Sequence, residues 1–347
     1  MFNKKININY MQFSIMTIML LLMFASCSDE KSMNNTDVSG KDSSSSKPKV
    51  QTKKKLAYIV TDSRIPFWAI MGRGVKNRAD FLGYDLEIYS AQNSAKHELE
   101  LTVKAIKNRV SGIIISPSTS SACVTVLKLA KSSNIPVVIS DVGADSGEYV
   151  SYISSNNREG AYKIGKVLAK KMLELGFENG RVGIIAIPQK RLNGKARTAG
   201  FMQAMDESGI KGADIRQLVT WSEEETYGFT KEMINTYPDL RAIWLQTSNG
   251  YNGALRAIAD MGKKGKILLI AFDAEPEFLN LIPKGVLAGS AMQQPYLMGQ
   301  KALNAMDRYL RGKNVKKNIQ LPILSVSTEN IQMQLSTIKR DVLGIEK

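Results

Sequence analysis

The chain has one histidine and two cysteines in 347 residues, and both scarcities are informative. One His with two Cys cannot complete a four-ligand structural zinc site. Two Cys cannot make a disulfide-rich scaffold. The lone histidine, His97, lies in the polar run Ser94-Ala95-Lys96-His97-Glu98 and reads as a surface residue. A His-dependent catalytic triad is therefore not expected. No Gly-rich phosphate loop ending in Lys and Ser or Thr is present. Gly72-Arg73-Gly74 begins like a dinucleotide fingerprint, but position 77 is Asn and the glycines fall inside a helical pattern. Acids are also scarce beside bases: 32 Asp+Glu against 47 Lys+Arg, a formal charge of +15. Such a balance invites a nucleic-acid reading. The bases, however, are scattered as pairs such as Lys263-Lys264 and Lys316-Lys317, with no aromatic-interleaved patch, so no nucleic-acid partner is expected.

What is present is globular in character, 44% hydrophobic and 23% charged. The length suits about two domains. The first 26 residues read as an export signal. Lys4 and Lys5 form a short positive region, and Phe13 to Ala25 is apolar except for Ser14 and Thr17. That stretch is shorter than the ~20 residues a membrane span needs. It ends in Phe24-Ala25-Ser26-Cys27, which resembles a bacterial lipobox with Phe24 in the usual leucine position. Cys27 is thus the expected lipidation site, and Cys123 a small buried hydrophobe. Residues 27–55 form a flexible tether, with Ser43 to Ser46 in a row and only Met33, Val38 and Val50 apolar beyond the cysteine.

Beyond Lys55 short apolar runs alternate with helical patterns. Strands are expected at Leu56–Val60, Leu86–Tyr89, Gly112–Ser116, Pro136–Ser140, Val182–Ile187, Ile215–Thr220, Ala242–Gln246 and Ile267–Phe272. The near-continuous apolar runs mark strands covered on both faces. The rhythm predicts an α/β fold of two doubly wound parallel sheets. Ligands in such sheets collect beyond the carboxyl ends of the strands. Asp62, Asp141, Gln246-Thr247 and Asp273 lie there, and Phe67 and Trp68 open the helix after the first strand. Carboxylates beside aromatic faces suit a sugar, whose hydroxyls donate to Asp and whose C–H faces stack on rings.

The stretch from 56 to 330 resembles the type I periplasmic binding proteins, in particular the ribose-binding-like sugar receptors of ABC importers. Pro66-Phe67-Trp68 is similar to the family's aromatic turn, and Ile135-Pro136-Val137-Val138 leads to Asp141 as its strand does. Ser155-Asn156-Asn157 with Gly160 and Gly165, Lys195-Ala196-Arg197-Thr198-Ala199-Gly200-Phe201, and Gln293-Gln294-Pro295 with Gly299 follow in the family's order. The resemblance implies two lobes joined by three hinge crossovers, near Ser155, Gln293 and Ile323. Residues 56–155 plus 294–323 would form the N-lobe, and 156–293 plus 324–347 the C-lobe. It implies Phe67 and Trp68 on one side of a sugar ring and Trp221 on the other. Asp141, Arg197, Thr247, Asp273 and Gln293 would contact its polar groups.

Two positions depart from the ribose pattern: Ile65 stands where Asn is usual, and Val142 where Arg is usual. Asp141 and Asp273 against Arg197 would leave the cleft at minus one. The expected ligand is therefore not ribose but a less hydroxylated, larger or partly cationic sugar-like solute. The function implied is an exported, lipid-anchored monomeric receptor, facing the periplasm or cell exterior, that delivers its ligand to a membrane permease. The alternative is a sensor of the same fold serving a chemoreceptor or histidine kinase. No cofactor, metal or catalytic residue is expected. Repressors of the lactose type share this core but begin with a helix-turn-helix, where this chain has a signal and a serine-rich tether.

Overall fold

The computed structural model describes residues 54–346; the expected signal, Cys27 and most of the tether lie outside them. The first sheet is entered by β1 (Lys55–Val60), β2 (Asp85–Ser90), β3 (Gly112–Ser116), β4 (Val137–Ser140) and β5 (Ser151–Ser155). Between them run α1 (Pro66–Leu82), α2 (Ala95–Lys107) and α3 (Ser120–Ser132). The chain then passes through α4 (Asn157–Glu174) into a second sheet. There β6 (Arg181–Ala186), β7 (Lys211–Gln217), β8 (Leu240–Leu245), β9 (Leu268–Phe272) and β10 (Gly289–Met292) alternate with α5 (Leu192–Asp206), α6 (Glu223–Thr236), α7 (Tyr251–Asp260) and the single-turn α8 (Phe278–Leu281). Next, α9 (Pro295–Leu310) and β11 (Asn318–Leu321) return to the first sheet. Finally β12 (Leu324–Ser327) rejoins the second, followed by α10 (Ile331–Thr337) and a π-helical segment, α11 (Ile338–Leu343).

Both sheets have six strands in the same spatial order, β11-β5-β4-β3-β1-β2 and β12-β10-β9-β8-β6-β7. All pairings are parallel except β12 against β10, an antiparallel edge that periodicity did not reveal. The buried centre follows composition. Ile113-Ile114-Ile115 of β3 is shut off on both faces, as a central strand in a doubly covered sheet should be. Leu56, Tyr58, Ile114 and Val138 pack under α1 and α9, while Ala57, Ile59, Ile113 and Ile115 pack under α2 and α3. The second sheet is sandwiched likewise, with Phe201 stacked on Trp244 at 3.9 Å on one face.

Helix starts follow local chemistry. Pro66 occupies the first turn of α1, where its missing N–H costs nothing. Ser94, Thr119, Asn156 and Ser222 each accept an N–H of the first turn of the helix they precede. Three passages join the sheets, through Asn156, through Gln293-Gln294 and through Pro322-Ile323. Gln294 Nε2 donates to the Pro322 carbonyl at 2.8 Å and ties the second and third together. The last residues do not stay with one sheet: α11 packs on α9 as well as α10, and Arg73 of α1 donates to the Leu343 carbonyl at 2.6 Å.

Candidate functional site

The carboxyl ends of β4 and β9 face the same cavity, and each strand is followed directly by an aspartate. Asp141 and Asp273 both adopt left-handed backbone, φ 64° and 68°. Each is pinned in the same way. The Asp141 N–H donates to the Ile153 carbonyl at 2.9 Å and the Asp273 N–H to Ala291 at 2.8 Å, both on the next parallel strand. A hydroxyl from that strand then donates to the Asp carbonyl, Tyr152 to Asp141 at 2.8 Å and Ser290 to Asp273 at 2.5 Å. Trp221 is left-handed too, φ 62°, a costly conformation for a bulky residue. Its loop is held by Glu225, whose carboxylate accepts the N–H groups of Val219, Thr220 and Trp221. Asn249 also donates to the Trp221 carbonyl. Strained backbone over-determined by its surroundings is characteristic of functional positions.

Seven of the eight side chains expected from sequence line this cavity: Phe67, Trp68, Asp141, Arg197, Trp221, Thr247 and Asp273. Gln293 stands behind them and donates from Nε2 to Asp273 Oδ1 at 2.8 Å. Arg197 is buried and forms part of the floor. Its Nε donates to Asn157 Oδ1 at 2.8 Å, Nη1 donates to the Gln246 carbonyl at 2.6 Å, and Nη1 lies 3.6 Å from Asp273 Oδ2. Its guanidinium also covers the Phe272 ring at 3.8 Å.

Two residues missed by sequence reasoning share the cavity, Arg191 and Asn193. Both belong to the stretch after β6, where no motif pointed. The only available signal was their position beyond a strand end. Asn193 Nδ2 reaches Asp141 Oδ1 at 3.4 Å. Arg191 is 2% exposed and lies over both indoles, 5.3 Å from the Trp68 ring centre and 5.0 Å from that of Trp221.

Arg191 corrects the expected charge balance. With Asp141 and Asp273 against Arg191 and Arg197, the cavity sums to zero rather than minus one. The expected aromatic sandwich also needs correction. Trp68 and Trp221 pack on each other, centres 6.1 Å apart and tilted by 56°, rather than facing across a gap. Val142 is fully buried and does not line the cavity, whereas Ile65 does. The space between these side chains is about 20 Å³, the room of roughly one water molecule, so a ring enters only when these walls move.

Burial dominates the electrostatics. It raises the Asp141 carboxyl, against the lowering influence of Arg197, Arg191, Asn193 and the Trp68 indole, whose N–H falls outside hydrogen-bonding geometry. Burial lifts Asp273 to about 6, with Arg197 and Gln293 opposing. It brings Arg191 down to about 10, which still leaves the guanidinium charged at neutral pH. Trp68 Nε1, Trp221 Nε1 and Gln293 Oε1 are buried without hydrogen-bond partners among the described residues. The described residues contain no cluster of His, Cys, Asp and Glu able to hold a metal ion, and no helix long and apolar enough to cross a membrane.

Residues 56–314 match the periplasmic binding protein domain family. The ribose import binding protein of Escherichia coli is 30% identical over 281 residues, covering 76% of this chain and 87% of that protein. A D-apiose import binding protein of Actinobacillus succinogenes is 25% identical over 269 residues, covering 77% of this chain and 85% of its own. Among solved structures, a carbohydrate transporter solute binding protein from Agrobacterium radiobacter in complex with D-arabinose superposes with a TM-score of 0.77. Its identity is 21%, and the match covers 84% of this chain and 99% of that one. Membership in this family implies an exported protein of the periplasmic type. The chain belongs to the periplasmic binding proteins, which are solute-binding proteins and not enzymes.

Proposed function

We propose that the chain is a lipid-anchored receptor that closes over a neutral sugar or polyol and presents it to the permease of an ABC importer. The observation that carries this reading is the meeting of two buried, backbone-strained aspartates from opposite sheets around Arg197 and two indoles. Carboxylates accept sugar hydroxyls, Arg197 and the indole N–H groups donate to ring and hydroxyl oxygens, and the aromatic faces stack on C–H surfaces. A cleft with no net charge suits an uncharged solute. The curated relatives named above import ribose and apiose, which supports the ligand class. Both walls come from one chain, so nothing in the site requires a second copy.

Ile65 supplies no donor to the cavity and Val142 none at all. A site built to bond hydroxyls discriminates strongly against mismatched ones, so the preferred sugar differs from ribose. Tight ribose binding in calorimetry would overturn that refinement. The receptor reading itself is tested by a thermal-shift screen of pentoses, hexoses, polyols and amino sugars. A ligand at about a hundred times its Kd stabilises by about 2.7 kcal/mol, a clear rise in Tm. A folded protein unmoved by every solute contradicts it. The anchor is assigned to Cys27, on the apolar stretch and small residues before it. Cys27→Ser should move the protein from the membrane to the soluble fraction, and retention in the membrane would refute the assignment.

A further inference from the structure

Arg191 belongs to the second sheet's side of the cleft, yet it spends its hydrogen bonds on the first. Nε donates to the Ser118 carbonyl at 2.9 Å and Nη2 to Asn93 Oδ1 at 3.0 Å. The next residue follows it across, Leu192 N–H reaching Ser120 Oγ at 3.4 Å. Between the anchors the guanidinium rests over Trp68 from one lobe and Trp221 from the other. The receiving end is rigid. Ser118 donates from both its N–H and its hydroxyl to Glu98 Oε2, at 2.6 and 2.8 Å, and Glu98 is wholly buried. Asn93 is held left-handed at φ 60°, its N–H donating to the Thr61 carbonyl at 2.7 Å.

Every one of these contacts is made between parts of the chain itself. A hydrogen bond from a charged donor is among the stronger types, and Arg191 makes both of these from a buried position. We propose that Arg191 is an interlobe latch, by which this protein stabilises its own closed form. The open–closed balance is then set by the chain as well as by the ligand, and the closed fraction scales apparent affinity. The arginine comes from the loop between β6 and α5, directly before the first residue of α5. The inference rests on the reading of two closing lobes, but its test uses no sugar.

The test is an interlobe distance measured by spin labels at Lys128→Cys on α3 and Lys231→Cys on α6, both exposed. Cys27 is replaced by serine in every labelled protein, and Cys123 is fully buried and escapes labelling. Without sugar, the parent should show a dominant short distance. Arg191→Ala should lower the closed-to-open ratio at least tenfold. Asn93→Gly, which tolerates the positive φ and removes one bond from an exposed position, should lower it severalfold. Identical distance distributions in the parent and Arg191→Ala overturn the latch. Should Arg191→Ala fail to fold, an unchanged distribution in Asn93→Gly overturns it equally. Sugar binding in the thermal-shift screen reports separately on the receptor reading.

Discussion

Glu275 follows Asp273 by two residues and accepts a hydrogen bond from Ser248 Oγ at 2.7 Å. Burial pushes its carboxyl up to about 7, with Ser248 opposing and the neighbouring acids Glu277 and Asp273 adding to the rise. Its unfolded value is about 4.3, so the folded chain binds this proton more tightly. The stabilisation is complete below the unfolded value and is lost as pH climbs to about 7. Asp273, lifted to about 6, acts in the same direction. Tm should therefore fall between about pH 4.5 and about pH 7, with Glu275 contributing about 3 kcal/mol at most. Glu275→Gln keeps the shape and the acceptor for Ser248 but cannot titrate, so its Tm should fall less over the same range. Equal falls in both proteins would show that Glu275 is not the source. At this scale the sequence was partly legible. Asp141 and Asp273 stand out because each follows an apolar run at the strand end where ligands of such sheets collect. Arg191 and Glu98 do not, since each owes its burial to a loop from a distant part of the chain.

The elements were legible where burial is symmetrical and obscure where it is not. β1, β3, β4, β8 and β9 are largely apolar and buried, and their expected bounds lie within two residues of those observed. β5 (Ser151–Ser155), β10, β11 and β12 are short and rich in Ser, Gly or Asn, and periodicity gave them no mark. β7 runs from Lys211, earlier than expected, because the edge strand is largely exposed and its polar start hides it. The helices make a sharper test through their glycines. In α1 a methyl on Gly74 would collide with the Tyr296 backbone of α9, whereas on Gly72 its nearest neighbour would be Tyr58 Cε1 at 3.7 Å. These two residues, which imitate a nucleotide motif in sequence, are thus unlike each other. Gly74→Ala should destabilise by about 1–3 kcal/mol through overpacking. Gly72→Ala should be neutral or stabilise by up to about 1 kcal/mol through helix propensity. Chemical denaturation of both variants decides it, and equal effects would argue against a close α1–α9 approach at Gly74.

On the scale of the whole molecule, the repeated strand order makes Asp141 and Asp273 counterparts on two sheets. Alternating apolar runs foretold two such sheets, but not that their carboxyl ends enclose the Arg191 guanidinium, because no sequence period encodes a contact between lobes. On the proposed function, a ligand held by Asp141 from one side and by Arg197 and Asp273 from the other binds tightly only when the sides are together. Affinity then belongs to neither lobe alone, and damage to either should be felt in full. Asp141→Asn tests the first side: asparagine tolerates the left-handed backbone at φ 64°, whereas alanine there would add strain. Arg197→Lys tests the second, keeping the charge but losing the paired donors to Asn157 and the Gln246 carbonyl. For whichever sugar the screen selects, each variant should weaken binding at least tenfold in calorimetry, about 1.4 kcal/mol. The double variant should lose less than the sum of the two, since releasing one lobe already forfeits much of what the other contributes through closure. Strict additivity would mean that the two lobes hold the ligand independently. A single variant binding like the parent would remove its side of the cleft from the site.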